Sequence, residues 1–401
     1  MLSELFELQV EIVKPVSLGF KRYLYQEIDW NNRLVAVVGA RGVGKTTLLI
    51  QYYKEKYGLP DKCLYLSADN VRVASAGLFE IASEFFKLGG EMLMIDEIHK
   101  YEDWSRELKN IYDSFPSARL AISGSSSLGI LKGRHDLSRR IVVYNLCGLS
   151  FREFLFLEAK ENFGVYNFAD ILDNHTKYAT KICNKIKVLK YFRDYLKYGF
   201  YPFFLEGTKS YDSKLNNIVE KIIYEDIPLL FGIKISSTHL LKKIVFLVAT
   251  SQPFVPNIEK ISSQLGISKE YVYNYLEYLE KAHLFSFLYA QEQGFKLVRK
   301  SEKIYLENSN LFHAVLGQIG FKSEIGAVRE SFFLNQLKVN HKVFSSERGD
   351  FSVDEKYVFE VGGKSKDNKQ IRDIKNAFIV ADDIEVGAGN KIPLWLFGFL
   401  Y

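Results

Sequence analysis

The sequence predicts an α/β fold whose first part is built on a mostly parallel sheet, and three observations carry that prediction. Apolar β-type runs at residues 34–38 (LVAVV), 63–66 (CLYL), 92–95 (MLMI) and 120–122 (LAI) are separated by helix-length or turn-rich segments, the alternation of a parallel sheet with covering helices. The first run passes through a Gly-rich turn straight into the helical pattern TTLLIQYYKEKY. The chain of 401 residues is 47% hydrophobic and 25% charged with only 8 prolines, which excludes a disordered or fibrous protein and leaves room for two or three domains.

The turn is the most informative segment. Gly39-Ala40-Arg41-Gly42-Val43-Gly44-Lys45-Thr46 satisfies G-x-x-x-x-G-K-[ST] between a strand and a helix. Its glycines allow consecutive backbone N–H groups to turn inward around a phosphate, at a helix N-terminus whose dipole favours negative charge. The expected ATP contacts are therefore Gly39, Ala40, Arg41, Gly42, Val43, Gly44, Lys45, Thr46 and Thr47. Lys45 would reach the β/γ-phosphates and the Thr46 hydroxyl would bind Mg²⁺. A Gly-rich turn matching by chance is the competing reading.

A second element argues against chance. Fifty residues on, Met92-Leu93-Met94-Ile95 ends in Asp96-Glu97, and a buried parallel strand delivers its last residues to the carboxyl edge of the sheet, where ligands bind. Asp96 is the expected metal-side carboxylate, and Glu97 the expected base that polarises the attacking water. The next strand ends in Ser123-Gly124-Ser125; Ser123 or Ser125, with Ser125 favoured, would face the γ-phosphate or the water, unless the cluster is a plain turn. Arg134, Arg139 and Arg140 precede the run IVVYNL. Arg140 is the candidate for a guanidinium that stabilises transition-state charge, in cis or from a neighbouring subunit, against the alternative of ordinary surface charge.

RLVAVVGARGVGKTTLLIQ, MLMIDEIHK, LAISGSSSL and GLSFREFL, with YLKYGFYPFF and the terminal FEVGGK segment, together resemble the AAA-type ATPases of bacteria and archaea that fuse a P-loop module to a C-terminal region of uncharacterised function. The resemblance covers nearly the whole chain. It implies Mg-dependent ATP hydrolysis by Lys45, Thr46, Asp96 and Glu97, and it is compatible with a homo-oligomer.

Beyond residue 150 the pattern becomes helical and aromatic. We expect a P-loop ATPase domain over 1–150, a helical lid or linker over 151–235, a winged helix over 236–295 and a small nuclease-like α/β unit over 296–401. The winged-helix expectation rests on the order helix, helix, Gly turn, helix, strand. Ser268 is placed to N-cap the second helix of the helix-turn-helix, with Tyr271, Val272, Tyr275, Leu276 and Leu279 on its buried face. The opposite face carries Lys269, Glu270, Tyr273, Asn274, Glu277, Tyr278, Glu280 and Lys281. With more acid than base it suits a protein contact better than DNA phosphates. In the last unit Glu330, Asp350, Glu360 and Lys364 resemble the acidic-plus-lysine set of restriction-endonuclease-like cores, but Gly362 stands where that lysine belongs. Lys364 would lie on the same strand face as Glu360, roughly 7 Å along it.

Charge and cysteine usage bound the remaining possibilities. The net charge is +5, yet residues 177–243 alone hold 13 Lys/Arg against 6 Asp/Glu. That stretch is interleaved with Tyr191, Phe192, Tyr195, Tyr198, Phe200, Tyr201, Phe203 and Phe204, a mix that serves base stacking or, more commonly, an aromatic core under a basic face. Cys63, Cys147 and Cys183 are odd in number and far apart, which supports neither a disulfide framework nor a zinc site. No 18-residue apolar run and no basic leader occur, so the expectation is a cytoplasmic protein without a membrane span. The expected function is ATP hydrolysis that changes the conformation of a C-terminal region engaging DNA or a protein. The alternatives are a slow nucleotide-gated switch, a DNA-binding module and an ATP-gated nuclease.

Overall fold

A computed structural model describes residues 1–401 apart from 59–60, 125–136, 138, 252–253, 292–300, 322–323 and 368. The chain divides into two compact units, Met1–Gly148 and Leu149–Tyr401.

The first unit holds α1 (Leu2–Val13), β1 (Leu34–Val38), α2 (Lys45–Lys56), β2 (Cys63–Ser67), α3 (Leu78–Lys87), β3 (Met92–Asp96), α4 (Trp104–Ser114), β4 (Arg119–Gly124) and β5 (Val142–Asn145). The five strands form one sheet in the order β2-β3-β4-β1-β5, and every pairing is parallel. Both faces are covered, which is why β1 and β3 read as unbroken apolar runs in place of an alternation. Helix α3 lays Leu78, Ile81, Ala82 and Phe85 against a core that includes Leu34, Ala36, Leu93, Ile95, Leu120 and Ile122. The edge strand β2 is closed by a side chain: the Gln9 amide donates to the Cys63 carbonyl at 3.0 Å and accepts from the Tyr65 N–H at 2.6 Å, supplying backbone-like bonds to groups that would otherwise face outward. Since β4 lies between β1 and β3, its last residues stand between the Gly-rich loop that leaves β1 and the carboxylates that leave β3.

The second unit begins at α5 (Phe151–Glu158) with a capping box, in which Ser150 Oγ accepts from the Glu153 N–H and Glu153 Oε2 accepts from the Ser150 N–H. Then come α6 (Phe168–Cys183), α7 (Tyr211–Lys221), α8 (Thr238–Thr250), α9 (Ile258–Leu265), α10 (Lys269–Lys281), β6 (Phe285–Tyr289), β7 (Ser301–Leu306), α11 (Ser309–Gln318) and α12 (Ile325–Leu337). Strands β8 (Val343–Ser345), β9 (Phe351–Val353), β10 (Tyr357–Gly362), β11 (Ala377–Ala381) and β12 (Lys391–Pro393) complete it. β6 and β7 pair antiparallel, one on each side of the domain boundary expected at 295. The last five strands form a mixed sheet in the order β12-β11-β10-β9-β8, parallel from β10 to β12 and antiparallel from β8 to β10.

The aromatic stretch around residue 195 belongs to the interior of this unit. Phe192, Tyr195, Phe200, Tyr201 and Phe204 are buried. Phe192 meets Phe332 of α12 at 4.9 Å between ring centres, and Phe151 meets Phe399 at 5.9 Å. Burying aromatic surface accounts for these rings, and base stacking has no access to them. Among the described residues no helix is long and apolar enough to cross a membrane.

Candidate functional site

The loop from Gly39 to Gly44 takes its shape from backbone that only glycine adopts readily. Gly42 and Gly44 have φ of 85° and 100°, and Gly39 packs so tightly that a Cβ there would stand 2.2 Å from the Leu146 carbonyl oxygen. α2 starts at Lys45 with no side-chain cap from Gly44, leaving its first N–H groups and the positive end of its dipole for a ligand. Lys45 is buried, and its Nζ donates to the carbonyls of Gly39 and Ala40, each at 3.0 Å. Val43 is buried, Arg41 half-buried and Thr47 exposed.

Asp96 is buried at the end of β3 and gathers three hydroxyls. Thr46 Oγ1 donates to Oδ2 at 2.5 Å, Tyr65 Oη donates to Oδ2 at 2.9 Å, and Ser123 Oγ donates to Oδ1. Burial, reinforced by the Asp96 charge, pushes the Tyr65 phenol far above its ordinary range, so it remains a donor to the carboxylate. Thr46 and Asp96 thus set two hard oxygen donors side by side at the mouth of the loop, a donor set that fits Mg²⁺, which needs few protein ligands beyond substrate phosphates.

Glu97 leaves the strand with left-handed backbone, φ 51° and ψ 38°. Its N–H donates to Ser123 Oγ at 3.3 Å, and its Oε2 lies 3.3 Å from His99 Nε2. Ser123, completely buried, therefore ties the end of β4 to both acidic residues. Ser125, the other serine proposed from the sequence, lies outside the described residues, as does Arg134.

Arg140 is not at this site within the chain. Its guanidinium binds Asp113 through Nε at 3.0 Å and Nη2 at 3.1 Å. Asp113 closes α4 just before β4 begins, and Arg140 just precedes β5, so both stand at the amino edge of the sheet. The P-loop is at the carboxyl edge, about 16 Å away for a five-residue strand at ~3.3 Å per residue. Arg139 is exposed. Sequence reasoning missed Arg22. It is buried, with Nη1 donating to the Val43 carbonyl at 2.5 Å and Nη2 donating to the carbonyls of Cys147 and Gly148 at 2.7 and 2.8 Å. One planar fork thus pins the crown of the loop to the segment after β5.

In the second unit Glu330, Asp350 and Glu360 do converge, but with different lysines from the expected one. Lys303 lies 3.9 Å from Glu330 Oε2 and 3.7 Å from Asp350 Oδ1. Lys366 pairs with the buried Glu360, while Lys364 is exposed. The chain turns after Gly362, and the Lys366 stem folds back over that glycine, 2.7 Å from where its Cβ would be. Lys366 thus occupies the space in which a lysine at 362 would project. Tyr305 Oη donates to Glu330 at 2.6 Å and the Val361 N–H donates to Asp350 at 2.9 Å. Burial, then the Asp350 charge, raises the Glu330 carboxyl above its usual range, and burial raises Glu360. Among the described residues no group of three or more His, Cys, Asp and Glu side chains could hold a metal ion; ammonium groups stand among these carboxylates.

On α10, Ser268 caps the helix by accepting from the Tyr271 N–H, and Val272, Tyr275, Leu276 and Leu279 are buried. Tyr271, expected inside, is 56% exposed. Both lysines of the outer face are neutralised, Lys269 by Glu259 of α9 and Lys281 by Glu277.

Residues 31–155 match the profile of an AAA domain, and residues 189–321 match that of a domain of unknown function. Two uncharacterized proteins of Methanocaldococcus jannaschii are similar over most of their length. One is 28% identical over 411 residues, covering 94% of this chain and 86% of the relative. The other is 24% identical over 356 residues, covering 85% and 74%. Among solved structures, a Walker-type ATPase of Pyrococcus abyssi aligns at 12% identity and a TM-score of 0.41 over 77% of this chain and 95% of that one. AMPPCP-bound DnaA of Aquifex aeolicus aligns at 17% identity and a TM-score of 0.29 over 69% and 88%. The first unit carries an AAA-type P-loop domain on a five-stranded parallel sheet.

Proposed function

We propose that this protein binds and hydrolyses ATP with Mg²⁺ and uses the turnover to change the state of a partner-binding region in residues 149–401. The observation that carries the reading is the meeting of Thr46, Asp96 and Ser123 beside a loop whose Lys45 ammonium is held on that loop's own carbonyls. Backbone N–H groups of residues 39–47 cradle the phosphates, and Lys45 exchanges its two carbonyl partners for β/γ-phosphate oxygens. Thr46 and Asp96 hold the metal, which supplies neutralisation of phosphate charge. Glu97 accepts a hydrogen bond from the attacking water and polarises it for in-line attack. Ser123 couples the two acidic residues to the end of β4.

The partner favoured for the second unit is a protein. α10 presents exposed Tyr271 and Tyr273, and its outer-face lysines are neutralised, so the helix offers little to a phosphate backbone. Glu330, Asp350 and Glu360 serve as an internal cluster ion-paired to Lys303 and Lys366 in this reading, and nuclease activity is not assigned to them. The test is ATP hydrolysis by the full chain with and without DNA. Glu97→Gln should keep ATP binding and lose on the order of 100-fold or more in turnover, and Lys45→Ala should weaken ATP binding. Wild-type turnover in Glu97→Gln overturns the assignment, and stimulation by DNA transfers the partner reading to nucleic acid.

A further inference from the structure

His99 is a histidine that neither the P-loop motif nor the acidic pair accounts for. It sits in the 3₁₀ turn Ile98–Lys100 that follows β3. Its side chain is completely buried, whereas that of Glu97 is 21% exposed. A carboxylate on a partly exposed side chain with several rotatable bonds samples many orientations unless a neighbour fixes it. A base, however, must hold its oxygen within hydrogen-bond reach of one water.

The backbone shows how the pairing arises. Residues two apart in a strand point to the same face but stand roughly 7 Å apart. The left-handed conformation at Glu97, a costly one for a residue with a Cβ, ends the strand there. The 3₁₀ turn then brings the imidazole of residue 99 back to the carboxylate of residue 97, with Nε2 3.3 Å from Oε2. The turn is anchored on the other side by the Glu97 N–H donating to Ser123 Oγ. Asp96 stays aimed at Thr46 while Glu97 turns toward His99, whose Nε2 stands at ion-pair distance from its Oε2. Strained backbone retained beside two acidic residues, with a buried imidazole on the second, is more than packing requires.

We infer that His99 is the positioning residue for Glu97: its buried imidazole holds the carboxylate in the orientation from which it can polarise the attacking water. This rests on the reading of Glu97 as the base. His99 touches neither nucleotide nor water in this role and acts through Glu97.

The test is a double-mutant cycle on the full chain, read as single-turnover ATP hydrolysis together with ATP affinity. His99→Ala should lower the hydrolysis rate about 10- to 100-fold, the scale seen when a group that orients a functional ligand is removed, with ATP affinity within about twofold of wild type. His99→Gln, whose amide can reach the carboxylate, should recover part of the rate. In a Glu97→Gln background, His99→Ala should cost nothing further, because two residues acting as one unit are not additive. A wild-type rate in His99→Ala overturns the inference, as does a parallel loss of ATP affinity or a double mutant whose loss is the product of the single losses. If His99→Ala does not fold, His99→Asn, too short to reach, takes its place in the cycle, and the same results support or overturn the inference. Failure of the underlying reading looks different: Glu97→Gln itself would hydrolyse ATP at the wild-type rate.

Discussion

Thr46 on α2 and Asp96 on β3, fifty residues apart in sequence, meet with Oγ1 2.5 Å from Oδ2. Two oxygen donors converging beside a phosphate loop make a divalent-cation corner, so removing one should affect metal-dependent binding selectively. Thr46→Val keeps the side-chain shape and deletes the hydroxyl. It should abolish most of the gain in ATP affinity that Mg²⁺ gives over EDTA, slow hydrolysis on the order of 100-fold, and leave metal-free nucleotide binding near wild type. Titration of a fluorescent ATP analogue with Mg²⁺ and with EDTA checks this.

Arg22 satisfies three backbone carbonyls with one guanidinium. Arg22→Ala leaves those acceptors short of donors and should cost about 2–4 kcal/mol of stability, seen as a lowered Tm, together with weaker ATP binding because the loop crown at Val43 is released. Arg22→Lys should rescue little, since a single ammonium on a flexible stem does not reproduce the planar fork. Thermal unfolding of both variants with and without ATP separates loss of fold from loss of loop order.

The parts of the site legible in the sequence are those where chemistry dictates residue type at neighbouring positions: glycines for positive φ, a lysine and a hydroxyl for phosphate and metal, an acid at a strand end. Arg22 was not legible because its acceptors are main-chain carbonyls, which leave no mark on the residues that own them. Position before a strand does not say which edge of the sheet Arg140 occupies; it is the amino edge with Asp113, away from this chain's own P-loop. Tyr271 follows the helical period of its buried neighbours yet lies 56% exposed, since periodicity gives the centre of an apolar face better than its rim. The C-terminal carboxylates were found by type, but the lysine beside them was not, because strand alternation was continued past Gly362 where the chain turns.

That lysine correction can be tested directly. Lys366→Ala leaves the buried Glu360 carboxylate without its ammonium partner and should destabilise the protein by about 1–3 kcal/mol, the cost of an unsatisfied buried acceptor. Lys364 is exposed, and Lys364→Ala should lie within about 0.5 kcal/mol of wild type. Urea unfolding of the two variants distinguishes them, and equal effects would return Lys364 to the cluster.

Glu307, just after β7, gives the second unit a pH-dependent stability. Burial drives its carboxyl up to about 7, and the Glu280 charge adds to this, against the opposing Lys338 ammonium and the Ser286 hydroxyl. Asn335 Nδ2 also lies 3.4 Å from its Oε1. Since the folded state holds this proton more tightly than the unfolded chain, whose carboxyl has an ordinary value of 4.5, the unfolded state binds fewer protons between those two values. Stability from this group is therefore full below about 4.5 and is lost as pH rises to about 7. Glu307→Gln mimics the protonated form at every pH. It should match wild type in Tm near pH 4.5 and exceed it at pH 8, whereas a constant difference between the two proteins across this range would show that the carboxyl titrates with its ordinary value.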